Sequence, residues 1–455
     1  MSADRYGNAV TGADAEALTG IDNFVHGFLS YQTKAANILA AAQAAPGCCL
    51  AQVYAGMLWM FLEAPEAPAH AEAFIARAEA LSSGATAREA ALARLTRLWA
   101  QGNIPAFLEQ AEALARAHPR DLALIKLLQY HHFNRGDAPG MLRAGLIALP
   151  SAEAEPYVHG MIAFGYEQCH LLDHAEASAR RAMQIEPTDP WAHHALAHVM
   201  LTQGRVDEGI AFLESVSGHW AGLNSFMQTH NWWHLALFYL SRDRVADVLA
   251  VYDTHVWGLE KDYSQDQVGA VSLLARMEFA GIDVGARWQD VAAHIARRGA
   301  DTTAPFLTLQ YLFALERADR PEARALMQAI VDRADTPAHD RAAWAEVALP
   351  AARGITAHAQ GNAAEAARLL GRALPRMREI GGSHAQRDFF EQIHLDALTR
   401  SGNWSAAQQV LELRRAHDPD GIPLNRHLAQ VYDAAGLPAE AARARARIGA
   451  SGYRA

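Results

Sequence analysis

The stretch PYVHGMIAFGYEQCHLLDHAEASARRAMQIEPTD, from Pro156 to Asp189, decides the fold. It opens on a proline, which suits the first turn of a helix because the missing N–H has no partner there. A first helix follows to a turn at His170, and a second runs on to Pro187, which cannot continue it. Ala163, Ala175 and Ala182 are small where the two helices of a pair must approach closely. The arrangement recurs at an interval of 34 residues, with units starting at Arg88, Leu122, Pro156 and Pro190 and turns at Gly102, Gly136, His170 and Gly204. Ala197 and Gly209 repeat the small positions, and Pro119 repeats the terminal proline. Each pair leaves an apolar face that only another pair can cover, so such units stack into a solenoid.

Working outward, further units start near Thr229, Gln267, Ala304 and Val347, and a last two near Asp388 and Ile422 are again 34 residues apart. The expected fold is all-α, an α-solenoid or superhelix of about a dozen helix pairs. A single solenoid is expected over 1–455, with the best-registered repeats in 88–223, further repeats in 229–337 and 347–455, and degenerate N-terminal helices in 15–87. No linker interrupts it. Two breaks in register, Ser217 to Gln228 and Gly381 to Arg387, are expected as loops, where solenoids often carry binding residues.

Composition narrows the function classes. Of 455 residues, 51% are hydrophobic and 20% charged, which fits a packed chain rather than a disordered one. The net charge of −10 and the lack of any Lys or Arg run argue against a nucleic-acid partner, which is therefore expected to be absent. No segment reaches the roughly 18 continuous apolar residues of a membrane span, and no signal-like start is present, so no membrane partner and a cytoplasmic location are expected. Cys48, Cys49 and Cys169 do not make a disulfide framework.

The pattern resembles the tetratricopeptide repeat (TPR): Ala163, Ala175, Ala182 and Pro187 stand where that repeat carries its small residues and its proline. Longer strings resemble the tetratricopeptide repeat protein 38 family. They are GMIAFGYE (Gly160 to Glu167), WAHHALAHV (Trp191 to Val199), QGRVDEGI (Gln203 to Ile210), HNWWHLAL (His230 to Leu237), YDTH (Tyr252 to His255) and GGSHAQRD (Gly381 to Asp388). The likeness runs more weakly from Tyr6 to about Leu411. Thr308 and Gln310 stand where that family is expected to have an acidic residue and a histidine, and Met200 or Leu201 where a glutamate is expected. The resemblance implies the fold and leaves the activity open.

In TPR arrays the first helix of each pair lines the concave surface through its second, fifth, ninth and twelfth positions. The resemblance therefore places Tyr157, Phe164 and Glu167, then His194 and His198, then His230 and Trp233 in one groove. His194 and His198 share a helix face one turn apart, and His230 and His234 repeat that spacing. Neutral imidazoles with a carboxylate suit zinc or a similar transition metal, giving His194, His198, His230 and Glu167 as candidate metal ligands and equally as candidate catalytic groups. No Glu follows the first His, so the metalloprotease helix is not indicated. The same histidines can equally be packing residues or members of a polar network.

The Gly381 to Asp388 stretch crowds donors and acceptors, and His384 and Arg387 join the candidate ligand-binding set, Arg387 as a planar fork for a carboxylate or phosphate. Ser383 or Asp388 can also serve as a plain helix cap. Trp191, Trp220, Trp232, Trp233 and Trp257 read mainly as core, with Trp233 placed to stack on a flat ligand. Two functions stay open: a repeat protein binding a peptide, protein or small molecule in its concave surface, or an enzyme, metal-assisted and hydrolytic in the mildest version, with an enclosed His-rich pocket. A peptide groove would need a basic carboxylate clamp, for which only Lys126 and Arg426 offer themselves.

Overall fold

The computed structural model describes residues 2–450, and over them the chain is a succession of antiparallel helix pairs. Its described residues fall into two compact units, 2–196 with Ala221–Met227, and Ala197–Trp220 with 228–450.

The first unit opens with a two-stranded antiparallel ladder, β1 (Ser2–Ala3) and β2 (Ala9–Val10), that sets Ser2 opposite Val10. Then come α1 (Ala15–Ser30), α2 (Asn37–Ala44), α3 (Cys49–Met60) and α4 (Ala67–Leu81). The regular repeats follow as α5 (Ala87–Ala100), α6 (Ile104–Ala117), α7 (Leu122–Phe133), α8 (Ala138–Ala152), α9 (Pro156–Gln168), α10 (Leu172–Ile185) and α11 (Pro190–Thr202), the last of which crosses the division after Leu196. First helices start at Ala87, Leu122, Pro156 and Pro190, the first of them one residue ahead of the sequence register and the other three on it. The turn makes that register. Gly102 and Gly136 end their helices with φ of 69° and 68°, and the next residue, Asn103 or Asp137, caps the second helix through its side chain. One dipeptide thus stops a helix and starts another. His170 takes the same left-handed turn without glycine, at φ 57°.

The first unit has an occupant on its first-helix face. α1 packs against α3 and α7. Phe24 stacks on Tyr54 of α3 at 4.5 Å, His26 meets the Tyr157 hydroxyl of α9 at 3.2 Å, and Tyr31, just past α1, stacks on Trp191 of α11 at 5.2 Å. Lys126 of α7 donates to the carbonyls of Phe28 and Leu29 at 2.6 and 3.1 Å, satisfying the C-terminal end of α1. Part of the register break 217–228 joins this unit, where Asn224 donates its N–H to the Tyr31 carbonyl at 2.7 Å and Leu223 bridges Gln32.

The second unit continues with α12 (Val206–Val216), α13 (Ser225–Ser241), α14 (Val245–Val251), α15 (Ser264–Phe279), α16 (Arg287–Ala296), α17 (Pro305–Arg317) and α18 (Glu322–Asp335). α19 (Arg341–Ala343) runs through a π turn into α20 (Leu349–Ala359), followed by α21 (Ala363–Ala373), α22 (His384–Arg400), α23 (Trp404–Arg415), α24 (Ile422–Ala434) and α25 (Pro438–Ala450). Gly209 lets α12 and α13 approach, since a Cβ there would lie 2.4 Å from the Phe238 ring. The end of this unit returns to its beginning. His417 lies 3.1 Å from the Thr202 carbonyl, Ser241 donates to Asp418 at 2.9 Å, and Arg426 reaches Asp243 at 2.6 Å and the Ala280 carbonyl at 3.2 Å. Among the described residues no helix is long and apolar enough to cross a membrane.

Candidate functional site

The groove positions expected in the first unit are engaged in packing. The Tyr157 hydroxyl is held by His26, and Phe164 lies among Phe133, Trp191 and His194 at 4.8–5.7 Å. His194 stacks on Trp191 at 4.3 Å. Glu167 is fully buried and accepts from the Gln168 amide at 2.6 Å. Lys126, one of the two cations offered as a carboxylate clamp, is fixed to α1 in a cage of Phe28, Tyr31 and Trp191, with its nitrogen 3.5 Å from the Tyr31 centroid. Burial depresses its pKa well below the usual lysine range. The other, Arg426, is spent on Asp243. No peptide clamp is built from either.

In the second unit the histidines converge. His198 projects from the last turns of α11, and His230 and His234 project one turn apart from α13, on neighbouring first helices. Their rings stand 4.5 Å (His198 to His234) and 4.8 Å (His230 to His234) apart. One ring nitrogen from each lies within 4.8 Å of the others, and all three residues are buried. Burial, helped by the neighbouring His198, drives the His230 pKa down to about 3, so that imidazole is neutral at physiological pH. Trp233 stacks on His230 at 5.2 Å and 8°, with the Arg276 guanidinium 5.4 Å from its centroid. Below them Thr229 donates to Asp266 at 3.2 Å, and that buried carboxylate also accepts from the Glu260 N–H at 3.1 Å.

The Gly381 to Asp388 stretch supplies the third side. Gly381 and Gly382 have φ of 86° and 76°, and Ser383 then caps α22 in a reciprocal box with Gln386. The capping role considered for Ser383 is therefore realised, while Asp388 has another. His384, the first residue of α22, places its ring 5.3 Å from His198. Arg387 folds back to donate to the Gly382 carbonyl. Asp388 accepts from Arg414 and, at 3.5 Å, from Arg276. Burial alone would raise its pKa, but the two guanidiniums hold it below the usual carboxylate range. Burial lowers Arg276 to about 10, which leaves it charged at neutral pH.

Sequence reading missed Arg276. Its signal was present: one guanidinium inside the run GAVSLLARMEFA (Gly269 to Ala280), on a helix whose neighbours are nearly all buried. Thr308 and Gln310, the departures from the family pattern, bond to nearby backbone carbonyls, Thr308 to Asp301 at 3.0 Å and Gln310 to Phe306 at 3.3 Å. Cys169 caps the C-terminal end of α9, and Cys48 and Cys49 are buried free thiols.

No known family model matches the chain. Solved structures similar to it include the human IFIT1 dimer with PPP-AAAA, at 12% identity over 95% of this chain and 94% of that one, with a TM-score of 0.44. A monomeric IFIT1 mutant with Gppp-AAAA matches at 11% identity, 96% of each chain and 0.40. Naa15/Naa10 bound to HypK-THB matches at 11% identity, 95% of this chain, 68% of that chain and 0.26. These values assign no ligand to this chain. They do correct the expectation that nucleic acid is excluded as a partner, since IFIT1 is named with PPP-AAAA and m7Gppp-AAAA. The physical reason is that a solenoid gathers groove residues from separate helices, so an absent run of Lys or Arg in sequence is no test of what its surface binds. From its recurring turn, paired helices and stacked order, the chain is a TPR-like helical-repeat protein.

Proposed function

We propose that this chain, read as a member of the tetratricopeptide repeat protein 38 family, is a binding protein whose second unit takes a small ligand beside His198, His230 and His234. Trp233, His384 and Arg387 edge the site. One observation carries the reading: three strings that resemble that family, ending at Val199, Leu237 and Asp388, bring His198, His230, His234 and His384 together, the first three buried and the last half-buried, although about 140 residues separate the second string from the third. Packing alone is served by apolar side chains, whereas convergent polar groups in an apolar setting are what fixes a small ligand. A peptide groove is less well supported, because Lys126 and Arg426 are both committed within the chain.

The test is a thermal-shift screen of the full chain against separate small-molecule and peptide sets. Small ligands are expected to raise the melting midpoint of the parent, since saturation at about a hundred times Kd contributes about 2.7 kcal/mol. The shift is expected to vanish in His230→Asn. A hit list of peptides alone, bound equally well by His230→Asn, would overturn the reading.

A further inference from the structure

We propose that His198, His230 and His234 form a three-imidazole site for a zinc-class divalent cation. This deepens the reading of the cluster as a ligand site and rests on it. The first argument is distance. With Zn–N bonds of about 2.0–2.1 Å, tetrahedral ligands stand about 3.3 Å from one another. The three nitrogens already lie within 4.8 Å, so side-chain rotation of about an ångström gathers them without moving a helix.

The second argument is scaffold. His230 and His234 sit four residues apart on α13, which spans 17 residues, and His198 faces them from α11, so two rigid helices fix all three donors. The third is chemistry. Imidazole nitrogens without a carboxylate among them suit zinc, cobalt, nickel or copper, and do not suit magnesium or calcium, which take oxygen. Three neutral ligands leave a bound ion its double positive charge and, in a tetrahedral shell, one open position. An anion or a carboxylate-bearing molecule is the ligand class such a position takes. His384 stands next to His198 and is placed to contact whatever fills it. The nearby Arg276 carries charge that Asp388 offsets, which limits its repulsion of a cation.

The test uses untagged, full-length protein. Metal content is measured by inductively coupled plasma mass spectrometry as purified, then after chelation and readdition of zinc alone. Cobalt(II) is titrated into the chelated protein and followed by visible absorption. Close to one tight equivalent is expected, with the intense d–d bands of four-coordinate cobalt. His198→Gln and His234→Gln are each expected to weaken zinc binding by more than about 100-fold, beyond the 10–100-fold typical of outer-shell changes. If the variants fail to fold, X-ray absorption on cobalt-loaded parent protein decides, since the proposal requires three imidazoles in the first coordination sphere. A parent that takes up no metal, only octahedral cobalt, or metal equally well in both variants overturns the site. Should a metal-free parent still give small-ligand shifts lost in His230→Asn, the metal site fails and the pocket stands. A loaded parent without any small-ligand shift has the opposite meaning.

Discussion

Replacing Asp388 by Asn tests the hub that holds α22 to α15 and α23. The substitution keeps size and an acceptor but removes the charge shared by Arg276 and Arg414. Arg276 is almost fully buried, and its remaining bonds run to uncharged groups, the Ser272 hydroxyl and the Ser272 and Ala385 carbonyls at 3.2 and 2.7 Å, which leaves Asp388 as its one ion-pair partner among the described residues, with Glu391 acting from farther off. Removing one partner of a buried ion pair costs about 3–5 kcal/mol. Asp388 and Arg414 keep 27% and 26% of their side chains exposed, so water replaces part of the loss, and about 2–3 kcal/mol is expected. That is about a 30- to 150-fold increase in local opening. The assay is native-state hydrogen exchange at the amides of α22, because a stacked array opens in parts rather than all at once. Its carboxyl titrates below the usual range, so the contribution is complete above about pH 4 and is lost only as the pH falls further. Exchange in α22 that changes less than twofold at pH 7 would refute the assignment of Asp388 as the neutralising centre.

Gly382→Ala is expected to destabilise α22 by about 1–3 kcal/mol, because φ is 76° and the new Cβ would lie 2.6 Å from the Phe306 ring; a change in melting midpoint within error would contradict this. Lys126→Met should change the alkaline behaviour of the first unit. Burial lowers the folded pKa well below 10.5, so the unfolded chain binds the proton better, and the Lys126 contribution to stability rises with pH up to the unfolded value and falls as pH drops. In urea unfolding the variant should lose the rise in stability that the parent shows as pH climbs toward the unfolded value of about 10.4, at most about 1.4 kcal/mol per pH unit. His26→Gln should flatten the acid limb: His26 is lowered to about 4, chiefly by burial, so the parent loses stability as pH falls from 6.5 toward 4. Identical acid midpoints for parent and variant would show that His26 does not titrate as its surroundings require.

The repeats were legible because their information is local. A left-handed glycine followed by Asn or Asp recurs at Gly102, Gly136, Gly361 and Gly402, and each copy both ends and starts a helix. The convergence of His198 with His230 was legible too, since adjacent repeats set their first helices side by side. The occupation of the first unit by α1 was not. It rests on contacts such as Lys126 to Leu29, 97 residues apart, which no periodicity encodes. The return of His417 to Thr202 spans 215 residues and is hidden for the same reason. The bond from Arg387 to the Gly382 carbonyl was not legible, because it depends on two glycines that turn the backbone so that the carbonyl faces the guanidinium.

The position of α1 also bears on how the chain is made. During synthesis at about 5–20 residues per second, Lys126 follows Leu29 by about 5–20 s. For that interval α1 has α3 to pack on, through Phe24 and Tyr54, but not α7, and the carbonyls of Phe28 and Leu29 wait for the Lys126 ammonium. A pause in translation ahead of α7 would lengthen that wait. The end of α1 is therefore completed only after the first regular helix pair, α5 and α6, has been made.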